Sequence, residues 1–246
     1  MSKKPIIGIT LDSFNPQENE KTSWYSIDYW YALRSHYIEA VVQYGGIPFP
    51  LPHHNALIPE FIEKIDGLII TGGGLDVPPE YYNAKAHPKT RLKMRRSEFE
   101  KDLTLHFLKT KKPIFGICGG MQLLAALYGG ELFQYLPEEG CYKEHTQDTP
   151  RDQSWHSVKI VKDTILSSIF DIKDDFIPVN SVHQQAVKNP GKMTVSAIAD
   201  DGLIEAIEDS SHPFCVGVQW HPECFVSEYD HKLFDAFIKI AVKTIN

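Results

Sequence analysis

Cysteine is scarce in this chain. Only four cysteines occur in 246 residues, namely Cys118, Cys141, Cys215 and Cys224. That number is too small for a disulfide framework in a chain of this length, and no Cys-x-x-Cys pair suggests a zinc site. A cysteine that matters for function here is therefore expected to act as a thiol.

The sequence also lacks a concentrated positive charge. Lysine and arginine total 25 against 32 aspartates and glutamates, which gives a formal net charge of -7. The one dense basic stretch is "RLKMRR" at 91–96, which we interpret as solvated, with one arginine as a candidate to meet a substrate carboxylate. Because nucleic-acid binding requires a basic face, we expect no nucleic-acid partner.

Long apolar runs are absent as well. No segment approaches the roughly 20 apolar residues of a membrane span, and "MSKKPIIGIT" lacks the apolar region and cleavage site of a signal peptide. We therefore expect a cytoplasmic protein that does not bind membranes. With 42% hydrophobic and 23% charged residues and no repeat or linker, residues 1–246 are interpreted as a single globular domain.

The hydrophobic pattern of the first 130 residues predicts strands that alternate with helices. Strands are predicted at 5–11, 47–52, 66–71 and 113–117, and helices at 29–46, 56–65, 97–110 and 120–128. Ser97, with Glu100 three residues later, is predicted to cap the third helix. Strand-like segments follow from 131, and 229–245 is predicted as a closing helix. This order indicates an α/β fold, with a parallel sheet, helices on both faces and added antiparallel strands.

Cys118 lies in the segment "GICGG", between a predicted strand and a predicted helix. The pattern Gly-x-Cys-x-Gly has the form of a nucleophile elbow, in which Gly116 and Gly120 let the two backbones come close. The thiol would then lie at a helix N-terminus, which favours an anionic sulfur, and the N–H of Gly119 would point to where an oxyanion forms. The alternative is a buried cysteine in a turn whose glycines serve packing only.

The segment "GVQWHPE" supplies a candidate base. His221 follows an apolar strand, and Glu223 is two residues further on, which places both side chains on one side of an extended chain. The carboxyl ends of parallel strands meet at one edge of a sheet, so His221 could lie next to Cys118. The three residues would be nucleophile, base and orienting acid. The alternative is a surface strand end with a solvated Glu223.

Together these segments resemble the class I glutamine amidotransferase superfamily, and within it the peptidase C26 branch that contains γ-glutamyl-γ-aminobutyrate hydrolase. The resemblance rests on "GICGGMQLL", "VNSVHQQAV", "DGLIEAIE" and "GVQWHPE", with "IIGIT" and "TGGGLDVPPEYY", and covers nearly the whole chain. It implies a flavodoxin-like domain and a γ-glutamyl thioester on Cys118. His221 would carry the proton, and Glu223 would fix the imidazole tautomer.

The resemblance also implies oxyanion donors and substrate contacts. The loop of Gly72, Gly73 and Gly74 corresponds to the second oxyanion donor of the family, beside Gly119, and which glycine donates stays open. Gln122 corresponds to a glutamine that contacts the γ-glutamyl group, with an exposed helix position as the alternative. The candidates to hold the α-amino and α-carboxylate groups are Asn180, Ser181, His183 and Gln184. His183 is equally compatible with a structural role.

Two function classes remain open. The first is a hydrolase that cleaves a small γ-glutamyl amide, and the second is a glutaminase subunit that delivers ammonia to a partner synthetase. The absence of an acceptor or ATP-binding segment and the long loop at 72–82 favour the hydrolase. The sequence departs from the pattern of this branch at one position that bears on substrate specificity. Gly119 stands where an arginine is common in the branch. The missing charge would have to come from Arg95, Arg96 or another basic residue.

We expect neither a cofactor nor a metal, and a homodimer stays open. The histidines outside the motifs are scattered and show no metal-ligand spacing; they include His87, His106, His145 and His156. Trp24 and Tyr25 are candidates to cover a pocket.

Overall fold

The computed structural model describes residues 3–15, 28–140, 144–171 and 176–245, so that Trp24, Tyr25 and Cys141 lie outside the described residues. The strands are β1 (Ile6–Thr10), β2 (Asp12–Phe14), β3 (Trp30–Ala32), β4 (Ile47–Leu51), β5 (Gly67–Ile70), β6 (Ile114–Ile117), β7 (Glu131–Phe133), β8 (His156–Ile160), β9 (Phe176–Val179), β10 (Ala186–Asn189), β11 (Thr194–Ala199), β12 (Ile204–Glu208) and β13 (Cys215–Val218). The helices are α1 (Ser35–Gln43), α2 (Ile58–Lys64), α3 (Met94–Phe107), α4 (Gly119–Leu127), α5 (Ile165–Phe170) and α6 (Glu228–Lys243).

A parallel sheet forms the centre of the structure and is extended by antiparallel strands. The main path runs β4-β1-β5-β6-β13-β12-β11-β8-β9, and β10 pairs with β12 and β7. The pairs from β4 to β13 are parallel, and those from β13 to β9 are antiparallel. The predicted fold class, a flavodoxin-like parallel sheet with added antiparallel strands, is confirmed.

Helices cover both faces of this sheet. Helices α1, α5 and α6 pack on one face, and α2, α3 and α4 pack on the other. Successive side chains of β5 alternate between the two layers, with Ile69 in the first core and Leu68 and Ile70 in the second. A strand buried on both faces reads as a continuous apolar run, which explains why "LII" and "PIFGI" were readable as strands.

Two helix boundaries differ from the predicted ones. Residues 30–32 form a strand paired with Asp12–Phe14, so α1 begins at Ser35 rather than at 29. Helix α3 begins at Met94, which places Ser97 in the buried interior of the helix instead of at its cap. Tertiary contacts account for both differences, because residues 30–32 pair with β2 and because Arg96 and Ser97 are buried.

The topology brings β6 and β13 side by side in parallel, with Ile117 in register with Val218. The chain leaves both strands at the same edge, and the N–H of Cys118 donates to the carbonyl of Val218 at 2.8 Å. The two motifs that are about a hundred residues apart in sequence therefore meet at this edge. Within the described residues, no helix combines the length and the apolar character needed to cross a membrane.

Candidate active site

The turn from β6 into α4 has the geometry of an elbow. Cys118 adopts φ 54° and ψ -105°, a backbone conformation that costs a non-glycine residue roughly 1–3 kcal/mol. A methyl group on Gly116 would lie 2.8 Å from the carbonyl carbon of Gly120, and one on Gly120 would collide with the carbonyl oxygen of Ile70. The predicted steric need for both glycines is confirmed.

His221 and Glu223 form a buried pair beside this thiol. Nδ1 of His221 lies 2.7 Å from Oε1 of Glu223, and the two side chains are 2% and 1% exposed. The alternative of a solvated Glu223 is therefore wrong. A methyl group on Gly72 would lie 3.0 Å from Cε1 of His221 and 3.1 Å from Cβ of Cys118, so both side chains converge on one glycine.

His221 and Glu223 each stabilise the charged form of the other. Burial lowers the pKa of His221, but the Glu223 carboxylate and the Cys118 sulfur outweigh it and raise that pKa to about 9. Burial likewise raises the pKa of Glu223, and the His221 imidazole brings it below its usual value. An imidazole held by a carboxylate on one nitrogen presents its other nitrogen to the nucleophile, which is the arrangement needed for proton transfer.

Asn180 holds the backbone of His221 rather than reaching the pocket. Its Oδ1 accepts from the N–H of His221 at 2.7 Å, and its Nδ2 donates to the carbonyl of His221 at 3.0 Å. Ser181 is also fully buried, and its hydroxyl donates to the carbonyl of His145 at 2.8 Å. Neither side chain lines the pocket over Cys118, so the structure does not bring these two expected substrate contacts to a ligand.

One hydrogen bond excludes Gly72 from the candidate oxyanion donors. The N–H of Gly72 donates to the buried hydroxyl of Tyr37 at 3.2 Å and is therefore occupied. Gly73 and Gly119 line the pocket beside Cys118. Gly74 lines it as well, so Gly73, Gly74 and Gly119 remain as candidate donors once Gly72 is set aside.

Arg96 holds this glycine loop in place. Its Nη2 donates to the carbonyls of Thr71 at 2.8 Å and Gly72 at 3.2 Å, and its Nε donates to Glu100 at 2.9 Å. The side chain is 4% exposed and does not line the pocket over Cys118. Arg95 lies over the ring of Tyr29 at 4.6 Å, also away from the pocket. Of the alternatives for the missing charge, neither Arg95 nor Arg96 lines this pocket, which leaves another basic residue.

The pocket over Cys118 has a volume of about 260 Å³ and a basic wall. The basic lining residues are Arg34, Lys89, Arg91 and Arg151. Nη1 of Arg151 is buried with no hydrogen-bond partner among the described residues. Burial lowers the pKa of Arg151, and the positive charge of Arg34, which lines the same pocket, lowers that pKa further. An unpaired guanidinium in a pocket wall is a ready partner for a carboxylate.

Gln122, His183 and Gln184 all line this pocket, as expected. Gln122 is 3% exposed, so the alternative of an exposed helix position is wrong. Its Nε2 donates to the carbonyl of Gln185 at 2.6 Å and to Oε1 of Gln219 at 3.1 Å. The amide oxygen is then the atom that Gln122 can offer to an α-amino group.

Several residues of the site carry no recognisable signal in the sequence. Tyr37, Arg34 and Arg151 lie outside the quoted motifs. Gln219 lies within "GVQWHPE" but was assigned no role, and its Nε2 lies 3.6 Å from Sγ of Cys118. Tyr37 is 2% exposed and packs in the core between α1 and the sheet. Its contact with the glycine loop depends on the packing of α1 against the sheet edge.

Alkylation of the wild-type protein near neutral pH should modify Cys118 before the other described cysteines. Burial raises the pKa of Cys215 and of Cys224 to about 12, so both stay as unreactive thiols. Cys118 instead lines the pocket beside His221. His221→Ala should slow its labelling by iodoacetamide, as followed by peptide mass mapping. Earlier modification of Cys224 than of Cys118 would count against the elbow.

Comparisons with known proteins identify the family of this chain. A family model for Peptidase C26 matches residues 5–223. Gamma-glutamyl-gamma-aminobutyrate hydrolase PuuD of Escherichia coli K12 is 34% identical, over 84% of this chain and 85% of its own length. RP404 of Rickettsia prowazekii, whose name describes it as glutamine amidotransferase-like, is also 34% identical, over 97% of this chain and 98% of its own.

A solved structure shows the same fold. A glutamine amidotransferase from Thermotoga maritima superposes with a TM-score of 0.56 at 14% identity, covering 99% of this chain and 95% of that one. The family model spans most of the sequence, including the elbow and the "HPE" segment. The relatives include a protein named as a gamma-glutamyl-gamma-aminobutyrate hydrolase and one named as glutamine amidotransferase-like. The chain belongs to the Peptidase C26 family.

Proposed function

We propose that this protein is a cysteine-dependent hydrolase that cleaves the γ-glutamyl amide bond of small γ-glutamyl compounds and releases glutamate and an amine. The observation that carries the proposal is the buried His221–Glu223 pair, 2.7 Å apart, next to a strained cysteine in the floor of a basic pocket. The family and the 34% identity to a γ-glutamyl-γ-aminobutyrate hydrolase support it.

The reaction would begin with attack of the Cys118 sulfur on the γ-carbonyl carbon. The N–H groups of Gly73 and Gly119 would stabilise the oxyanion. His221 would give its proton to the amine as the C–N bond breaks, which leaves a γ-glutamyl thioester. A water molecule would then lose a proton to His221 and attack the thioester carbonyl. Breakage of the C–S bond would release glutamate and restore the sulfur.

The basic wall suggests which amines would be accepted. The glutamyl end of the substrate carries one carboxylate, whereas the pocket is lined by four basic side chains, among them Arg34 and Arg151, and by one acidic side chain, Asp76. A second carboxylate on the leaving amine would find a partner there. Arg34 and Arg151 are therefore proposed to supply the charge that Gly119 does not.

Steady-state kinetics should show that kcat/KM for at least one γ-glutamyl amine exceeds that for glutamine by roughly tenfold or more, about 1.4 kcal/mol in the transition state. We expect γ-glutamyl-γ-aminobutyrate to be preferred over γ-glutamylbutylamine, which has the same length but no second carboxylate. Arg151→Met should reduce that preference roughly tenfold, because a charge-assisted hydrogen bond is lost.

The ratio of the two substrates is the readout, since it cancels any uniform effect of the substitution on catalysis. Arg95→Met, which removes a guanidinium outside the pocket, should leave the ratio unchanged. If glutamine is the best substrate and a synthetase subunit raises the activity, the protein is instead a glutaminase subunit. If Arg151→Met prefers γ-glutamyl-γ-aminobutyrate over γ-glutamylbutylamine as strongly as the wild type does, Arg151 does not contribute to substrate specificity.

A further inference from the structure

A second cluster of titratable side chains lies behind one wall of the pocket. Three histidines that are scattered in the sequence, His145, His156 and His183, converge on Glu205 of β12. Glu205 is 0% exposed and reaches none of the reacting groups. The proposed hydrolysis uses neither this carboxylate nor His145 or His156.

Ring nitrogens of the three histidines surround one carboxylate oxygen of Glu205. Oε1 of Glu205 lies 3.4 Å from Nδ1 of His145, 3.5 Å from Nε2 of His183 and 3.8 Å from Nε2 of His156. Both carboxylate oxygens, and Nε2 of His156 and of His183, have no hydrogen-bond partner within the part of the chain that the structure describes. Buried polar atoms without partners cost free energy unless another group binds them.

The spacing matches the edges of a metal coordination sphere. Two ligands that are each about 2.0–2.1 Å from Zn²⁺ at a tetrahedral angle lie about 3.3 Å apart. The ligand atoms of His145, His183 and Glu205 all lie within 4.8 Å of one another, so small side-chain movements would bring all three to one ion.

The outer nitrogens of two histidines are held as they are in metal sites. Nε2 of His145 lies 2.9 Å from Oδ2 of Asp201, and Nδ1 of His183 lies 3.1 Å from the carbonyl of Gln185. A histidine that donates its outer N–H to a carboxylate or a carbonyl directs the lone pair of its inner nitrogen toward the ion. In His145 that inner nitrogen also lies 3.4 Å from the hydroxyl of Ser181.

We propose that His145, His183 and Glu205 bind a divalent transition-metal ion, with Zn²⁺ as the first candidate and His156 beside the fourth position. Imidazole and carboxylate ligands suit Zn²⁺ and its neighbours in the first transition row. His145 and His156 also line a surface pocket with Trp155 and Asp201, which gives an ion a path to the cluster. The ion would tie the segment before β8 to β12 and to the wall that carries His183 and Gln184.

Cobalt binding tests the proposal, because Co²⁺ in a site of nitrogen and oxygen ligands has a visible absorption spectrum. The full chain carrying Cys118→Ser serves as the parent, since a thiolate would bind Co²⁺ elsewhere. After chelation and addition of CoCl₂, we expect one equivalent of Co²⁺ to remain after gel filtration and to be displaced by ZnCl₂. Asp201→Asn should weaken binding roughly 10- to 100-fold, and Glu205→Gln should abolish it.

His106→Asn, which changes an exposed histidine of α3, is the matched control and should bind Co²⁺ like the parent. The Glu205→Gln variant removes a buried charge and can fail to fold. Metal binding is therefore also measured through the thermal stability of the parent protein, which carries only Cys118→Ser. Its melting temperature should rise by several degrees with ZnCl₂ and fall back with a chelator. A parent that retains no Co²⁺ and shows no such rise would establish an ion-pair network without a metal. Equal binding by the parent and Glu205→Gln would also overturn the proposal.

Discussion

Cys118→Ala is expected to abolish hydrolysis of γ-glutamyl amides while the protein stays folded. The rate should fall by roughly 10⁴- to 10⁶-fold, because no other group can form the covalent intermediate once the nucleophile is removed. Stability should change little, since alanine removes one sulfur from a side chain that already borders the pocket. Amine release and circular dichroism on the same preparation measure the two effects.

Cys215→Ala provides the matched control. Cys215 is fully buried on β13 and does not line the pocket, so its removal should leave kcat/KM within a factor of a few. If Cys118→Ala kept more than a tenth of the wild-type activity, the nucleophile would have to be another residue.

Arg96→Met should destabilise the protein by roughly 3–5 kcal/mol, since it leaves the buried Glu100 without its cation. The Arg96 guanidinium also lies 3.2 Å from Asp12, so a second carboxylate loses a partner. Chemical denaturation followed by fluorescence gives the free energy of unfolding. Arg95→Met removes an exposed neighbour on the same helix and should cost no more than about 1 kcal/mol.

Measurement of kcat separates the effect of Arg96 on stability from its effect on the glycine loop. Because its guanidinium holds the carbonyls of Thr71 and Gly72, the folded fraction of Arg96→Met should show a lower kcat as the Gly73 N–H loses its fixed position. The double variant Arg96→Met/Glu100→Gln should recover part of the stability but not the activity. A stable Arg96→Met variant with wild-type kcat would show that the loop needs no such support.

The elbow and the "HPE" segment were readable because their constraints are local. A strand that turns sharply into a helix requires glycine at fixed positions, and these positions are visible in sequence as Gly116 and Gly120. Strands β5 and β6 were equally visible as short apolar runs. The start of α3 was not, because Ser97 and Glu100 match a capping pattern that packing overrides.

Other parts of the site depend on contacts between distant segments. Asn180 was expected at the ligand, but its side chain is used by the backbone of His221, 41 residues away. Arg151 and Arg34 line one pocket only when the segment before β8 lies near the start of α1. The convergence of His145 and His183 on Glu205 likewise requires the antiparallel half of the sheet. Because these residues are far apart in sequence, no short sequence pattern predicts their contacts.

The proposed hydrolysis depends on a γ-glutamyl thioester on Cys118, and mass mapping of acid-quenched turnover detects that intermediate. Wild-type enzyme mixed with excess γ-glutamyl-γ-aminobutyrate and quenched within the first turnovers should carry one glutamyl group on the peptide that contains Cys118. The adduct should be absent from Cys118→Ala. A glutamyl group on any other residue, or an initial burst of one equivalent of amine without an adduct on Cys118, would contradict the account.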